Sequence, residues 1–115
     1  MLCLLIISAL PLPPEYVTVL DVTFDSIKLA WNSTSNTTMA HVTSYIIEYR
    51  RNGSTDEYVK KLVTEPEILV DGLSPDSSYE FRIHSVNDGG LSMSAATIIF
   101  TTRRPGQTSF SFIRQ

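Results

Sequence analysis

Residues 71–90 read D-G-L-S-P-D-S-S-Y-E-F-R-I-H-S-V-N-D-G-G, and this stretch decides the fold. Between residues 78 and 86, apolar and polar side chains alternate, which is the pattern of a β-strand with one buried face. The positions that share the buried face are Tyr79, Phe81, Ile83 and Ser85. Leu73 is expected to close the core before this strand, and the Asn-Asp-Gly-Gly run turns the chain after it. The stretch therefore predicts a long, half-buried strand followed by a turn.

Similar patterns recur along the chain at intervals of about ten residues, with no stretch of helical periodicity. We predict strands over residues 16–21, 26–31, 44–51, 58–63, 78–86 and 96–102, and inward positions at Ile68 and Val70. Trp31 is the expected core anchor, with Tyr45 and Tyr49 on the buried face of the third strand. This spacing of short strands predicts an all-β sandwich.

The sequence predicts two further details, one from alternation and one from a turn dipeptide. In the last strand, Ile98 and Phe100 are expected to face the core and Ile99 the outside. Asn52-Gly53 is interpreted as the turn of a tight hairpin, because this dipeptide readily adopts the positive φ that such a turn requires.

Length and composition limit the function. The chain has 115 residues, which suits one domain, and its nine basic and twelve acidic side chains give a formal charge of −3. The basic residues are scattered apart from three pairs, so the sequence argues against nucleic acid as a partner. Cys3 is the only cysteine, so the chain cannot form an internal disulfide and its stability must come from the core.

The two ends differ from the middle in composition. Residues 1–12 form an apolar leader that resembles the core of a signal peptide and is too short to span a bilayer. A fragment boundary and an additional strand are the alternatives. We expect the domain to cover residues 13–103, and residues 104–115 to be a linker, a tail or the start of a following module.

The sequence contains no recognisable catalytic, cofactor or metal motif. The two histidines, His41 and His84, are interpreted as solvated surface residues, and neither lies beside a plausible nucleophile. Neither a phosphate-binding glycine loop nor a G-x-S-x-G elbow is present. These observations predict a protein that is not an enzyme and that needs no cofactor.

Several motifs together resemble a fibronectin type III domain. They are Pro-Pro at 13–14, S-I-K-L-A-W at 26–31, S-Y-I-I-E-Y-R at 44–50 and L-x-P-x-x-x-Y at 73–79. The resemblance implies an immunoglobulin-like β-sandwich of seven strands in two antiparallel sheets, A-B-E and C-C′-F-G. It also implies that Leu73, Pro75 and Tyr79 belong to the core as a tyrosine corner, in which the phenol hydroxyl meets a main-chain group. Ser85 stands where the family has a small apolar residue, so a buried hydroxyl there needs a main-chain acceptor.

Such modules occur in arrays, and this sequence resembles those of receptor-type tyrosine phosphatases, neural adhesion molecules and fibril-associated collagens without favouring one of them. We therefore expect a monomeric module within a longer array.

Three glycosylation sequons point to the secretory route. Asn36, Asn32 and Asn52, in decreasing order of expectation, each begin an N-x-S/T motif in a predicted loop or turn. Asn32 ranks below Asn36 because it follows Trp31, and Asn52 ranks last because the tight turn needs it. The sequons predict an extracellular glycoprotein.

A partner-binding surface is predicted on the outward face of the C-C′-F-G sheet and on the turn after strand F. Its residues are Ile46, Tyr58, Arg82, His84 and Asp88. We expect Ile46 to be exposed and flanked by Tyr58, and Glu48 to pair with Arg82 across neighbouring strands. The F–G turn lacks the Arg-Gly-Asp that binds integrins in this family, so the resemblance does not imply that activity.

These observations predict a non-catalytic extracellular module that binds a protein partner at the cell surface or in the matrix, with an adhesion or receptor role. A passive spacer between neighbouring modules and an intracellular scaffold module are the alternatives.

Overall fold

The computed structural model describes residues 10–34 and 41–106. These residues form eight strands: β1 Glu15–Val22, β2 Ile27–Asn32, β3 Ser44–Arg51, β4 Val59–Val63, β5 Glu67–Val70, β6 Ser78–Asn87, β7 Gly90–Leu91 and β8 Ala96–Thr101. In this part of the chain, no helix has the length and apolar character needed to cross a bilayer. Most of the predicted leader, the sequon at Asn36 and most of the predicted tail lie outside the described residues.

The strands form two antiparallel sheets. One has the order β1-β2-β5, and the other has the order β4-β3-β6, with both β7 and β8 paired to β6. This arrangement confirms the predicted sandwich with sheets A-B-E and C-C′-F-G. The prediction of seven strands omitted β7, because a strand of two residues is too short to leave an alternating pattern in the sequence.

Alternate positions of both sheets turn inward and form one core. Trp31 of β2 packs against Tyr45 of β3 edge to face, with ring centroids 5.3 Å apart. Phe81 of β6 is fully buried, and its ring centroid lies 5.7 Å from that of Tyr49 and 6.4 Å from that of Tyr79. The predicted aromatic core is therefore confirmed, and it joins the two sheets.

The last strand has the predicted register. Ile98 and Phe100 of β8 pack against the core, whereas the side chain of Ile99 is exposed. The pairing of Phe81 with Ile98 and of Tyr79 with Phe100 places these inward side chains beside the first half of β6.

The turn before β6 contains the implied tyrosine corner. The backbone N–H of Ser74 donates a hydrogen bond to the Tyr79 hydroxyl at 2.9 Å, and Leu73 is buried. Pro75, however, is exposed, so its placement in the core was wrong. Its carbonyl instead accepts a hydrogen bond from the Ser77 hydroxyl at 2.8 Å, and its ring restricts φ within the turn.

Replacing Tyr79 by phenylalanine tests the corner. Tyr79→Phe is expected to lower the free energy of unfolding by about 0.5–1.5 kcal/mol, because it removes one hydrogen bond and keeps the buried ring. Urea unfolding of the two proteins measures the difference. Tyr16→Phe, at an exposed position of β1, is the matched control and should change stability by less. Equal stability of wild type and Tyr79→Phe would show that the hydrogen bond of the Tyr79 hydroxyl does not stabilise the fold.

The connection between β3 and β4 is longer than the predicted two-residue hairpin. The last described pair of the two strands is Tyr49 with Val59, so residues 52–58 form the connection. Gly53 does adopt a positive φ of 83°, and the N–H of Ser54 closes the turn on the Arg51 carbonyl at 3.0 Å. The turn at Asn52-Gly53 was predicted correctly. The length of the loop, however, is set by the register of β3 with β4, which the dipeptide alone does not determine.

Candidate interaction surface

The outward side chains of the five-stranded sheet form one surface, which we call the five-stranded outer face. Strand register places them in rows that run across β4, β3, β6 and β8. One row contains Leu62, Ile46 and His84, the next contains Lys60, Glu48, Arg82 and Thr97, and the third contains Arg50, Glu80 and Ile99. Tyr58, just before β4, packs beside Arg50 at the end of the third row. Alternation along each strand therefore brings opposite charges side by side.

Glu48 is the centre of the second row. Its carboxylate oxygens lie 3.5 Å from Nε of Arg82 and 3.6 Å from Nζ of Lys60. The predicted pairing of Glu48 with Arg82 is thus confirmed, and Lys60 extends it to a third strand. Each such pair contributes about 0.2–1 kcal/mol at a surface, so the row orients its side chains more than it stabilises the fold.

Tyr58 lies against two arginines, Arg50 of the third row and Arg82 of the second. The guanidinium carbon of Arg50 is 4.2 Å from the ring centroid of Tyr58, and that of Arg82 is 5.0 Å away. The Tyr58 hydroxyl donates a hydrogen bond to Oε2 of Glu80 at 3.0 Å, and Nε of Arg50 lies 3.8 Å from Oε1 of the same carboxylate. Arg50 also donates to the Asp56 carbonyl at 3.0 Å, which attaches the long β3–β4 connection to this cluster.

The charge of Arg82 is reinforced by its surroundings. A side-chain hydrogen bond with Tyr58, followed by the negative charges of Glu48 and Glu80, raises the pKa of Arg82 above its ordinary value, against the opposing effect of partial burial. An arginine side chain is charged at physiological pH in any protein, and these contacts favour the charged form further.

His84 is not the solvated surface residue that the sequence suggested. Its side chain is only 12% exposed. Nδ1 lies 3.1 Å from the Ser92 carbonyl, and because a carbonyl only accepts, Nδ1 is the nitrogen that donates. Nε2 faces Glu48 at 3.9 Å. The prediction failed because the turn through β7 folds Ser92 back beside His84, and this contact joins residues on the two sides of that turn.

Two other predicted residues lie elsewhere than expected. Ile46 is half-buried and is paired with Leu62 and His84, so it is not flanked by Tyr58. Asp88 is exposed in the turn after β6, six positions beyond Arg82, which corresponds to about 20 Å along a strand. The structure therefore groups Tyr58 with Arg82 and separates both from Asp88.

Glu80 and Lys60 are members of the surface that sequence reasoning did not select. The Glu80 carboxylate accepts a hydrogen bond from the Tyr58 hydroxyl and forms an ion pair with Arg50. Lys60 forms an ion pair with Glu48. Their outward position follows from alternation, but their partners follow from the register of β6 and β4 against β3. A correct register in the sequence interpretation would have identified both residues.

Two of the three sequons lie within the described residues. Asn32 is exposed at the end of β2, and Asn52 is exposed in the turn after β3, where its backbone N–H donates to the Ser78 carbonyl at 2.9 Å. Residues 10–34 and 41–106 contain no cluster of three or more His, Cys, Asp or Glu side chains that could hold a metal ion.

These features define an antiparallel β-sandwich module with a charged and aromatic outer face. The chain belongs to the fibronectin type III domain family, whose sequence model matches residues 12–101.

Curated proteins with similar sequences are much longer than this chain. Receptor-type tyrosine-protein phosphatase F of Danio rerio is 36% identical over 85 residues, which is 73% of this chain and 4% of that protein. Protein sax-3 of Caenorhabditis elegans is 31% identical over 101 residues, which is 85% of this chain and 8% of that protein. The chain thus spans less than a tenth of either relative.

Solved structures share the fold. Domains A168–A170 of titin match with a TM-score of 0.74 and 27% identity, covering 84% of this chain and 34% of that chain. The fibronectin type III domain of human fibronectin type III domain containing protein 3 matches with a TM-score of 0.73 and 23% identity, covering 89% of this chain and 94% of that chain. The second likeness concerns the fold alone.

Proposed function

We propose that this chain is a non-catalytic protein-interaction module of an extracellular receptor or matrix protein, with a role in adhesion. In this proposal the five-stranded outer face binds the protein partner. The similarity to a module of a receptor-type phosphatase supports the receptor context, and the sequons support the secretory route.

The observation that carries the proposal is the cluster around Tyr58. Two guanidinium groups, a phenol and a carboxylate are held together by short contacts on an accessible sheet surface. Because contacts within the cluster already restrict these side chains, binding a partner costs less of their conformational entropy than it would for free side chains. Tyrosine and arginine are also the residue types that most often dominate binding energy at interfaces.

The charge of the surface indicates the chemistry of the partner. Across the second and third rows, three positive side chains face two negative ones, whereas the whole chain carries a formal charge of −3. A partner with an acidic patch and an apolar group that covers Tyr58 would complement this surface.

Replacing Tyr58 by alanine tests the proposal. In the full chain fused to an antibody Fc region, Tyr58→Ala is expected to weaken binding to the surface of intact cells at least tenfold, because it removes the group against which both arginines pack. Tyr16→Ala, an exposed tyrosine on the other sheet, is the matched control and should bind like the wild type. Flow cytometry over a concentration series measures both.

The outcome separates binding from spacing. If both variants bind as the wild type does, or if the wild type binds no cell in a panel of lines, the module is a passive spacer and the proposal is wrong. The location is tested separately by the intact mass and the N-terminus of the chain produced in eukaryotic cells, before and after removal of N-linked glycans. An unmodified chain that begins at Met1 and is retained in the cell would favour an intracellular scaffold.

A further inference from the structure

The opposite side of the sandwich has a different character. The outward side chains of β1, β2 and β5 form a surface that we call the three-stranded outer face. Its residues include Thr18, Leu20, Asp21, Lys28, Ala30, Asn32, Glu67 and Leu69. Leu20 and Leu69 are both more than half exposed. Leu69 pairs with Lys28, and Leu20 precedes Asp21, which pairs with Lys28 from the other side. Lys28, which pairs with Asp21, is the only basic residue in these three strands, so this face has fewer opposite-charge pairs than the other sheet.

Asn32 belongs to this face. Alternation along β2 buries Ile27, Leu29 and Trp31 and turns Lys28, Ala30 and Asn32 outward, and Asn32 is exposed. The sequon at Asn32 was ranked second because Asn32 follows the bulky Trp31. In the structure the Trp31 side chain enters the core, so it does not crowd Asn32. A side chain on a strand stands roughly perpendicular to its sheet, so a group attached to Asn32 begins directly above this face.

The remainder of the sequon is also ordered. The Thr34 hydroxyl donates a hydrogen bond to the Pro13 carbonyl at 2.8 Å, which ties the chain beyond β2 to the segment that leads into β1. The position of Asn32 above the face is therefore fixed on both sides, by the pairing of β2 with β1 and by this contact.

We propose that Asn32 carries an N-linked glycan that lies along the three-stranded outer face toward Leu69. The inference rests on the proposed extracellular location. Asn32 and Leu69 are roughly 14 Å apart, counting four residues along a strand and one step between strands. The core of an N-linked glycan is several sugar rings long, and the C–H faces of these rings pack on exposed aliphatic side chains. The glycan covers this face and leaves the five-stranded outer face for protein partners.

The experiment uses the full chain behind a heterologous secretion signal, expressed in eukaryotic cells with Cys3→Ser, Asn36→Gln and Asn52→Gln. Asn32 is then the only sequon. A probe cysteine is placed at Leu69, which is 58% exposed, or at Ile99 on the opposite sheet, which is 53% exposed. A bulky polyethylene-glycol maleimide should label Leu69→Cys several-fold more slowly than Ile99→Cys. Removal of the glycan by a glycosidase should bring the two rates together.

Two results would overturn the inference. One is a secreted chain whose mass does not fall on deglycosylation, and the other is a Leu69→Cys labelling rate that is the same before and after glycan removal. An added Asn32→Gln substitution should raise the labelling rate at Leu69 and leave the rate at Ile99 unchanged. Because the heterologous signal imposes secretion, these results are independent of the cell-binding test on Tyr58 and of the native location.

Discussion

Trp31→Ala is expected to lower the free energy of unfolding by about 3–5 kcal/mol, the largest loss predicted for this chain. The Trp31 side chain is almost fully buried and packs edge to face on Tyr45 of the opposite sheet. Removal of the indole opens a cavity between the sheets, and the close packing of protein interiors prevents the surrounding side chains from filling it. Since the chain cannot form an internal disulfide, no cross-link compensates for the loss.

Urea denaturation followed by far-ultraviolet circular dichroism measures the effect, because the fluorescence of the only tryptophan is lost in the variant. Phe24→Ala is the control, since this aromatic side chain is about half exposed and should cost much less. Trp31→Phe should lie between wild type and Trp31→Ala, because it keeps a ring in the core. A loss for Trp31→Ala no greater than that for Phe24→Ala would contradict the account of the core.

Ser85→Ala is expected to act in the opposite direction and to raise the free energy of unfolding by about 1–2 kcal/mol. Ser85 is fully buried on the inner face of β6, and its hydroxyl has no hydrogen-bond partner among the described residues. A buried hydroxyl without a partner has lost its hydrogen bonds to water and forms none within the protein. An apolar side chain of similar size is therefore favoured at this position.

Ser92→Ala is the matched comparison. Ser92 is also buried, but its hydroxyl donates to the Ser94 carbonyl at 2.7 Å and accepts from the backbone N–H of Ser85 at 3.2 Å. Its removal should lower stability by about 1–2 kcal/mol, since a buried N–H and a carbonyl lose a partner. Opposite signs for the two serine substitutions in urea unfolding would support this difference. A loss of stability in Ser85→Ala would mean that its hydroxyl is satisfied in solution.

The direction of the stability change expected for Ser85→Ala could not be predicted from the sequence. The alternation around Ser85 predicted its inward position correctly, and the requirement for an acceptor followed from burial alone. Whether an acceptor is present depends on which groups of β3 and of the turn through β7 come close to it, and those residues are distant in sequence or lie beyond a turn.

On the five-stranded outer face, too, the sequence predicted which side chains point outward but not which of them are in contact. The outward positions of Glu48, Tyr58 and Arg82 were predicted correctly, because they follow from local alternation. The contact of Tyr58 with Arg50 and the burial of His84 were not predicted. Both depend on connections whose lengths were misjudged or overlooked, namely residues 52–58 and the turn through β7.

The sequence by itself therefore determined the strands other than β7, their buried faces, the contact of Tyr79 in its corner, and the family. These features depend on local patterns: a period of two along each strand and a short motif before β6. Only the tertiary structure decided which charged groups meet, which face Asn32 occupies relative to Leu69, and whether Ser85 finds a partner. These features depend on strand register, which is set by loop geometry and by pairing between segments far apart in the chain, and which local patterns leave open.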